Sequence, residues 1–185
     1  MRTTYIVNLI GGPCVGKTTI SALLFAQLKI DGYVCEYVQE YAKKLVWTCD
    51  FETLNDQYIV SKTQCELLKH INGKVDYIIT DGPLIHGIYY NRYNPHNTSN
   101  VTKVDAFIQK AISEFRNINI VLGRVDRPYE RDGRIESEEE SRNIDHIMVD
   151  ILNEYGHTFR TFPAETKYIP DIIAYIKQCT SHVSA

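Results

Sequence analysis

The feature that most constrains this chain is the segment 11–18, which reads Gly-Gly-Pro-Cys-Val-Gly-Lys-Thr. It follows the apolar run 5–10, which predicts a buried strand, and it leads into an amphipathic helical pattern over 17–30. The glycines of the spacing Gly-x-x-x-x-Gly-Lys-Thr let the backbone turn tightly, so that loop amides and the helix N-terminus point at an anion. A strand, a glycine-rich turn and a helix in this order predict a phosphate-binding loop.

Each part of this loop has a predicted task. The Lys17 ammonium reaches the β- and γ-phosphates of a nucleotide, and the Thr18 hydroxyl enters the coordination shell of Mg²⁺. We therefore expect ATP and Mg²⁺ as cofactors and a catalytic role for Lys17. The expected nucleotide contacts are Gly11, Gly12, Pro13, Cys14, Val15, Gly16, Lys17, Thr18 and Thr19.

Strand and helix patterns alternate along the whole chain. Apolar runs predict strands over 5–10, 33–40, 75–81, 117–122 and 158–162, and helical patterns cover 17–30, 40–47, 54–71, 102–115, 137–155 and 168–179. Residues 82–100 are rich in Tyr, Asn, His and Pro and are predicted as a loop that has room for one helical turn. The pattern predicts one α/β domain, residues 1–185, in which helices cover both faces of a parallel sheet.

Composition narrows the class of protein further. The net charge of -3 argues against general coating of nucleic acid. Five cysteines, an odd number without Cys-x-x-Cys spacing, are expected to be free thiols in a reducing compartment. No apolar run approaches the roughly 20 residues that span a bilayer, and the chain enters a strand almost at once. We therefore expect a cytoplasmic protein without a membrane segment or signal peptide.

Two carboxylates are predicted at the carboxyl ends of strands, where open α/β sheets bind ligands. Asp81 closes the third predicted strand, and Glu40 closes the second. Asp81 can bind Mg²⁺, together with Thr18, or accept a proton from an acceptor hydroxyl, and Glu40 can be that base instead. Both are predicted catalytic residues, and the sequence leaves open which is the base. The structural alternatives are a turn or helix cap for Asp81 and a helix cap or surface ion pair for Glu40.

Four arginines follow the fourth predicted strand: Arg124, Arg127, Arg131 and Arg134. Few apolar side chains lie among them, so we expect the segment 124–137 to be a mobile lid that orders over a bound triphosphate. Arginines there neutralise the charge on the transferring phosphoryl group. Arg124 and Arg127 are predicted nucleotide contacts, Arg127 and Arg131 catalytic groups, and Arg134 a substrate contact. The alternative is a solvated loop whose charge the following glutamates balance.

Candidate groups for binding a phosphoryl acceptor flank the third predicted strand. Tyr89 and Arg92 can stack on a planar base or pair with a phosphate or carboxylate. Gln57 and Gln64, on the preceding predicted helix, can read base edges. All four are predicted substrate contacts, although packing of a helix on the sheet explains the aromatic residues equally well.

These segments carry a family likeness. The chain resembles small P-loop kinases related to the nicotinamide-riboside kinase domain. The resemblance is carried by GGPCVGKTT, the EYA at Glu40, the helix with the two glutamines, the TDGP at Asp81 and RVDRPYERDGR. Such proteins are often encoded by bacteriophages and labelled AAA domain or thymidylate-kinase-like. The resemblance covers nearly the whole chain. Thr80-Asp81-Gly82 replaces the family's Asp-Thr-Asp, which argues against nicotinamide riboside as the substrate.

The resemblance implies a P-loop NTPase fold of the nucleoside- and nucleotide-kinase type. It implies a five-stranded parallel sheet in the order 2-3-1-4-5, built from the strand patterns above, with an arginine-rich lid after the fourth strand. It also implies that Glu40 and Asp81 occupy acidic active-site positions.

Three functions are compatible with these features. The first is a kinase that transfers the γ-phosphoryl group of ATP to a nucleoside, nucleotide or modified base, which fits the short chain and the arginine lid. The second is a nucleotide-dependent switch or binding NTPase without a small-molecule acceptor, although the Asn-Lys-x-Asp guanine motif of GTPases is absent. The third is a kinase acting on hydroxymethylated pyrimidine in polymeric DNA, against which the acidic net charge counts. The sequence leaves monomer and homodimer both open.

Overall fold

A computed structural model describes residues 2–126, 128–130, 132 and 135–181. The strands are β1 (Tyr5–Ile10), β2 (Cys35–Val38), β3 (Tyr77–Thr80), β4 (Arg116–Gly123) and β5 (Phe159–Pro163). They form one parallel sheet in the order β2-β3-β1-β4-β5, which confirms the predicted fold class and strand order. Arg127, Arg131 and Arg134 of the predicted lid lie outside the described residues.

Helices connect the strands and cover both faces of the sheet. They are α1 (Lys17–Ile30), α2 (Tyr41–Trp47), α3 (Phe51–Asn55), α4 (Gln57–Ile71), α5 (His86–Tyr93), α6 (Val101–Ser113), α7 (Glu138–Glu154) and α8 (Ile169–Ser181), with a 3-10 turn at Thr166–Tyr168. Helix α7 begins at a capping box, in which the Ser137 hydroxyl accepts from the Glu140 amide and the Glu140 carboxylate accepts from the Ser137 amide.

The pleat of the strands divides the core into two layers. In β1, Ile6 and Ile10 face a cluster with residues of α4, α5, α6 and α7, whereas Val7 and Leu9 face α1 and α8. All four side chains are at most 1% exposed. Because helices cover both faces, the central strands β1 and β3 are nearly continuous buried, apolar runs, which the sequence located to within a few residues.

The segment 82–100, predicted as a loop, contains the two-turn helix α5. Ile88 is fully buried, and the Asn91 side chain donates hydrogen bonds to the Val101 carbonyl at 2.8 Å and the Asp105 carboxylate at 2.7 Å. Tyr, Asn and His have modest helix propensity, so the local composition favoured a loop. Packing against the neighbouring helices outweighs that propensity, and the loop prediction was wrong.

Two helix boundaries also differ from the prediction. The helix expected over 54–71 is divided into α3 and α4, because the Asp56 carboxylate caps α4 by accepting two amides of its first turn. The helix expected over 102–115 is α6, which begins one residue earlier, after Asn100, whose side chain accepts from the Lys103 amide. In each case an earlier side-chain oxygen satisfies the first-turn amides.

The cysteines and the apolar content follow the expectations from composition. All five cysteines are free thiols, and burial raises the pKa of Cys35 to about 11. Cys35 and Cys65 pack in the core as small apolar side chains. In the described ranges, no helix has the length and apolar character needed to cross a membrane.

The parallel arrangement brings the functional segments to one edge of the sheet. The phosphate-loop segment follows β1, Glu40 follows β2, Asp81 follows β3 and Arg124 follows β4. Because these four strands are neighbours and run in one direction, the segments at their carboxyl ends surround a common space.

The burial of Ile88 on α5 leads to a prediction about the free energy of unfolding. Ile88→Ala should lower the free energy of unfolding by about 2–5 kcal/mol, because it leaves a cavity in a closed part of the core. Ile30→Ala removes a side chain that is 76% exposed and should change this quantity by less than about 0.5 kcal/mol. Urea unfolding monitored by circular dichroism measures both variants. Equal, small effects would contradict the burial of α5.

Candidate nucleotide-binding site

The loop between β1 and α1 has a backbone conformation that depends on glycine. Gly11 and Gly16 have φ angles of 149° and 110°, and Cys14 also has a positive φ of 59°. Gly16 is the N-cap of α1 and makes no side-chain cap hydrogen bond. A glycine-rich loop that leads into a helix N-terminus in this way is the arrangement that binds phosphate.

The Lys17 side chain bends back over the loop. Its Nζ donates to the Gly11 carbonyl at 2.7 Å and to the Gly12 carbonyl at 2.9 Å. Of the predicted nucleotide contacts in the loop, all but Gly12 and Val15 line the adjoining cavity. Val15 is only 3% exposed and packs in the core instead.

A buried histidine supports the loop from α5. The Gly11 amide donates to His86 Nε2 at 3.3 Å. Burial lowers the pKa of His86 well below its ordinary value, and the Lys17 ammonium lowers it further. The ring therefore remains neutral and can accept this hydrogen bond. Sequence reasoning gave His86 no role, because it stands in the segment predicted as a loop.

Asp81 joins the phosphate loop to the end of β2. Its Oδ2 accepts from the Thr18 hydroxyl at 2.6 Å, and its Oδ1 accepts from the Glu40 amide at 3.1 Å. The structure thus brings together Thr18 and Asp81, the two predicted metal ligands. Asp81 is only 2% exposed, so its carboxylate is fixed by these contacts.

The Thr18–Asp81 pair provides the oxygen donors that Mg²⁺ prefers. Among the residues that the structure describes, no group of three or more His, Cys, Asp or Glu side chains could hold a metal. The pair therefore fits a Mg²⁺ ion that takes most of its ligands from nucleotide phosphates and water, as expected for such sites.

Glu40 occupies the N-cap position of α2, but its side chain does not cap the helix. Gly82 packs directly on it, and a Cβ atom at Gly82 would lie 2.6 Å from Glu40 Cα. The Gln64 side chain brackets Glu40, because its Oε1 accepts from the Tyr41 amide at 2.9 Å and its Nε2 donates to the Gln39 carbonyl at 3.3 Å. Gln64 also lines the cavity, so it supports the Glu40 segment from a position beside that space, and its predicted contact with a base stays a prediction.

A cavity of about 1050 Å³ extends from the phosphate loop along α2, α4 and α5. Glu40 and the predicted substrate contacts Gln57, Gln64 and Tyr89 line it. Its walls are rich in aromatic side chains, namely Phe51, Tyr89, Tyr90 and Tyr93. The volume lies at the upper end of the range for small-molecule sites, so it has room for a ligand as large as a nucleotide.

Polar atoms with a fixed direction lie within this cavity. Gln57 is 3% exposed, and its Nε2 donates to the Leu54 carbonyl at 2.7 Å, which leaves Oε1 as an acceptor without a partner among the described residues. Burial and the Glu136 carboxylate raise the pKa of Tyr89 and Tyr90, so both phenols remain protonated donors.

Arg92, predicted as a substrate contact, does not line the cavity. Its guanidinium binds the Asp105 carboxylate at 2.7 Å, the Glu154 carboxylate at 2.8 and 3.0 Å, and the Tyr155 hydroxyl at 2.6 Å. These contacts tie α5 to α6 and α7. The structure thus places Arg92 at the junction of these three helices, and its predicted contact with a substrate stays a prediction.

Arg124, predicted as a nucleotide contact, is directed at the backbone of the loop. Its Nε donates to Asp145 Oδ2 at 2.8 Å, and one terminal nitrogen donates to the Pro13 carbonyl at 3.0 Å and to Ser141 Oγ at 2.7 Å. Its side chain is 11% exposed and does not line the cavity. The structure therefore places Arg124 behind the loop, where no sequence pattern pointed to Ser141 or Asp145.

The described part of the lid lies beside the phosphate loop. The Cys14 thiol donates to the Glu130 carbonyl at 3.0 Å, and the Tyr129 hydroxyl donates to the Glu136 carbonyl at 2.8 Å. Glu130 and Glu136 also line the cavity. The described residues after β4 thus border the cavity, and the role of this segment as a lid stays a prediction.

The fold and the site together define a P-loop nucleotide-binding protein of the NTPase class. The defining features are the parallel sheet in this strand order, the glycine-rich loop at a helix N-terminus, and the Thr–Asp pair beside a lysine. The family profile described as AAA domain matches residues 6–167. The chain therefore belongs to the AAA domain family. No curated protein matches the chain significantly. The relation to nicotinamide-riboside kinases and the bacteriophage origin stay predictions.

The neutral state of His86 predicts a pH dependence of stability. Since the folded-state pKa is lowered, the unfolded chain binds the proton more readily below pH about 6.5. The free energy of unfolding should thus rise with pH up to about 6.5 and then level off. His86→Gln should reduce this slope by up to about 1.4 kcal/mol per pH unit, measured by urea unfolding from pH 4.5 to 7.5.

His157, whose pKa burial also lowers, contributes to the same slope in both proteins, so only the difference between them reports on His86. Replacement of the exposed His70 by Gln is the control and should leave the slope unchanged. Identical slopes in wild type and His86→Gln would mean that His86 binds a proton in the folded state.

Proposed function

We propose that this protein is an ATP- and Mg²⁺-dependent kinase that phosphorylates a nucleoside, nucleotide or modified nucleobase. The observation that carries this proposal is that the phosphate loop, Glu40 and an aromatic pocket all open into one cavity of about 1050 Å³. A switch or binding NTPase needs the loop but has no use for a deep aromatic pocket beside it. The pocket favours a second, planar substrate.

In this proposal the loop holds the donor. The first-turn amides of α1 bind phosphate oxygens, and the Lys17 ammonium leaves its carbonyl partners to lie between the β- and γ-phosphates. Mg²⁺, held by Thr18 and Asp81, supplies charge neutralisation on the same phosphates when it is bound. Phosphoryl transfer depends mainly on such positioning and electrostatic stabilisation.

Glu40 is the proposed general base. Glu40 lines the cavity, whereas Asp81 is only 2% exposed and does not line it. The acceptor hydroxyl oxygen attacks the γ-phosphorus, the bond from that phosphorus to the β-phosphate bridging oxygen breaks, and the hydroxyl proton passes to Glu40. ADP and the phosphorylated acceptor are the products.

The acceptor is proposed to lie along α4 and α5. Tyr89 and Tyr93, stacked with ring centroids 5.1 Å apart, offer an aromatic surface for a planar base. Gln57 presents a carbonyl oxygen whose direction is fixed by the bond from its own amide nitrogen to Leu54. A base with an N–H group on its edge satisfies that oxygen.

The direct test is transfer from γ-labelled ATP to a panel of nucleosides, nucleotides and duplex DNA containing hydroxymethylated pyrimidine. We expect labelling of a small acceptor, and Lys17→Ala should reduce the rate by about 10²-fold or more while circular dichroism shows an intact fold. Labelling of DNA alone would favour the polymer-acting kinase, and hydrolysis without transfer would favour a switch NTPase. Wild-type turnover by a folded Lys17→Ala protein would contradict the phosphate-loop role.

The two carboxylates should differ in their kinetic effects. Glu40→Gln should lower kcat by about 10²–10⁴-fold with little change in the Michaelis constant for ATP, because it removes the base. Asp81→Asn should weaken activity in a way that additional Mg²⁺ partly restores. Glu36→Gln, an exposed site on β2, is the control and should retain wild-type kinetics. Rescue of Glu40→Gln by Mg²⁺, with no rescue of Asp81→Asn, would reverse the two roles.

A further inference from the structure

A cluster behind the phosphate loop holds its second and third residues. The Gly12 amide donates to Asp145 Oδ1 at 2.6 Å. The Pro13 carbonyl accepts from the Ser141 hydroxyl at 2.5 Å and from the Arg124 guanidinium at 3.0 Å. Proline has no amide hydrogen to donate. The Gly12 amide and the Pro13 carbonyl are therefore the backbone groups that bind these side chains, and both are satisfied by protein atoms.

The neighbouring backbone groups of the loop are also used. The Gly11 amide donates to His86, and the Gly11 and Gly12 carbonyls accept from Lys17. The first three loop residues therefore have their polar backbone groups engaged by protein atoms. The amides that point at phosphate must come from Cys14 onward, and the position of that second half depends on how firmly the first half is held.

The side chains of this cluster are mostly buried from solvent and are joined to one another by hydrogen bonds. Asp145 uses one oxygen for the Gly12 amide and the other for Arg124 Nε, at 2.8 Å. The Arg124 and Asp145 side chains are 11% and 20% exposed, and Ser141 is fully buried. Charge-assisted hydrogen bonds in such surroundings are stronger than their exposed counterparts.

Backbone packing adds a steric constraint to these bonds. A Cβ atom on Gly12 would lie 2.4 Å from the Ser141 carbonyl oxygen and 3.0 Å from Asp145 Oδ1. Only glycine therefore allows the loop and α7 to approach this closely. Ser141 and Asp145 are one helical turn apart near the start of α7, directly after the lid.

We propose that Arg124, Ser141 and Asp145 form a clamp that fixes Gly12 and Pro13, and that this clamp sets the affinity of the loop for a nucleotide triphosphate. None of the three side chains lines the cavity, so they are positioning residues that act through the loop backbone. A loop held in its binding conformation loses less conformational entropy when phosphate binds, and loosening it weakens binding.

The clamp also connects the loop to the lid. Helix α7 begins at Glu138, and its first two turns carry the two clamp residues Ser141 and Asp145. The end of the lid and the base of the phosphate loop are consequently supported by the same turns of one helix. Arg124, at the beginning of the lid, completes the link from the β4 side.

The binding test uses the non-hydrolysable analogue adenosine 5′-(β,γ-imido)triphosphate with Mg²⁺, titrated by calorimetry. Asp145→Asn should weaken binding by about tenfold or more, because the amide nitrogen of asparagine opposes either Arg124 or the Gly12 amide. Ser141→Ala, which removes one hydrogen bond, should weaken it severalfold. Arg142→Met is the matched control on α7, since it breaks an ion pair with Glu138 whose two side chains are 53% and 48% exposed, and its affinity should match wild type.

Amide hydrogen exchange of the ligand-free protein gives a readout that does not depend on nucleotide or on phosphoryl transfer. In the clamp variants the amides of Gly12 and Cys14 should exchange faster than in wild type, while those of β1 should stay protected. A purely structural role would lower the melting temperature and leave both the loop exchange and the affinity of the folded protein unchanged, which would overturn the proposal. If Asp145→Asn does not fold, Ser141→Ala and Arg124→Lys decide the outcome by the same two measurements.

Discussion

The carboxylate of Asp81 is the interaction on which the rest of the site depends. One oxygen holds the Thr18 hydroxyl at the start of α1, and the other holds the Glu40 amide at the end of β2. This bridge is possible because β3 lies between β1 and β2 in the sheet. The order of the strands thus determines which residues meet, and the buried Asp81 side chain fixes the distance between the phosphate loop and Glu40.

Local patterns in the sequence were sufficient for the parts of the fold that follow local rules. The central strands β1 and β3 are nearly continuous apolar runs, and the phosphate loop joins β1 to a helix with an apolar face, so these elements could be read directly. The capping box at Ser137 has the same local character. Asp81 was found because it directly follows an apolar strand, a position where parallel sheets bind ligands.

The remaining parts depend on partners that are distant along the chain. Arg92 binds Glu154, and Arg124 binds the backbone of Pro13 and a carboxylate on α7, yet nothing near these arginines indicates either partner. Their chemistry was predictable, but the direction of each side chain was not. Gln64 shows the same limit, since its amide binds backbone groups around Glu40. Helix α5 was missed because its stability comes from packing rather than from propensity.

Helix α5 also connects two ends of the cavity in a way that its sequence does not suggest. His86, at its first position, holds Gly11, and Tyr90 and Tyr93 further along the same helix line the aromatic wall. At about 1.5 Å per residue, these tyrosines stand about 6 Å and about 10 Å along the axis from the histidine. Helix α5 therefore fixes the distance between the phosphate loop and the aromatic wall. This distance limits the length of a molecule that can reach the loop from that wall.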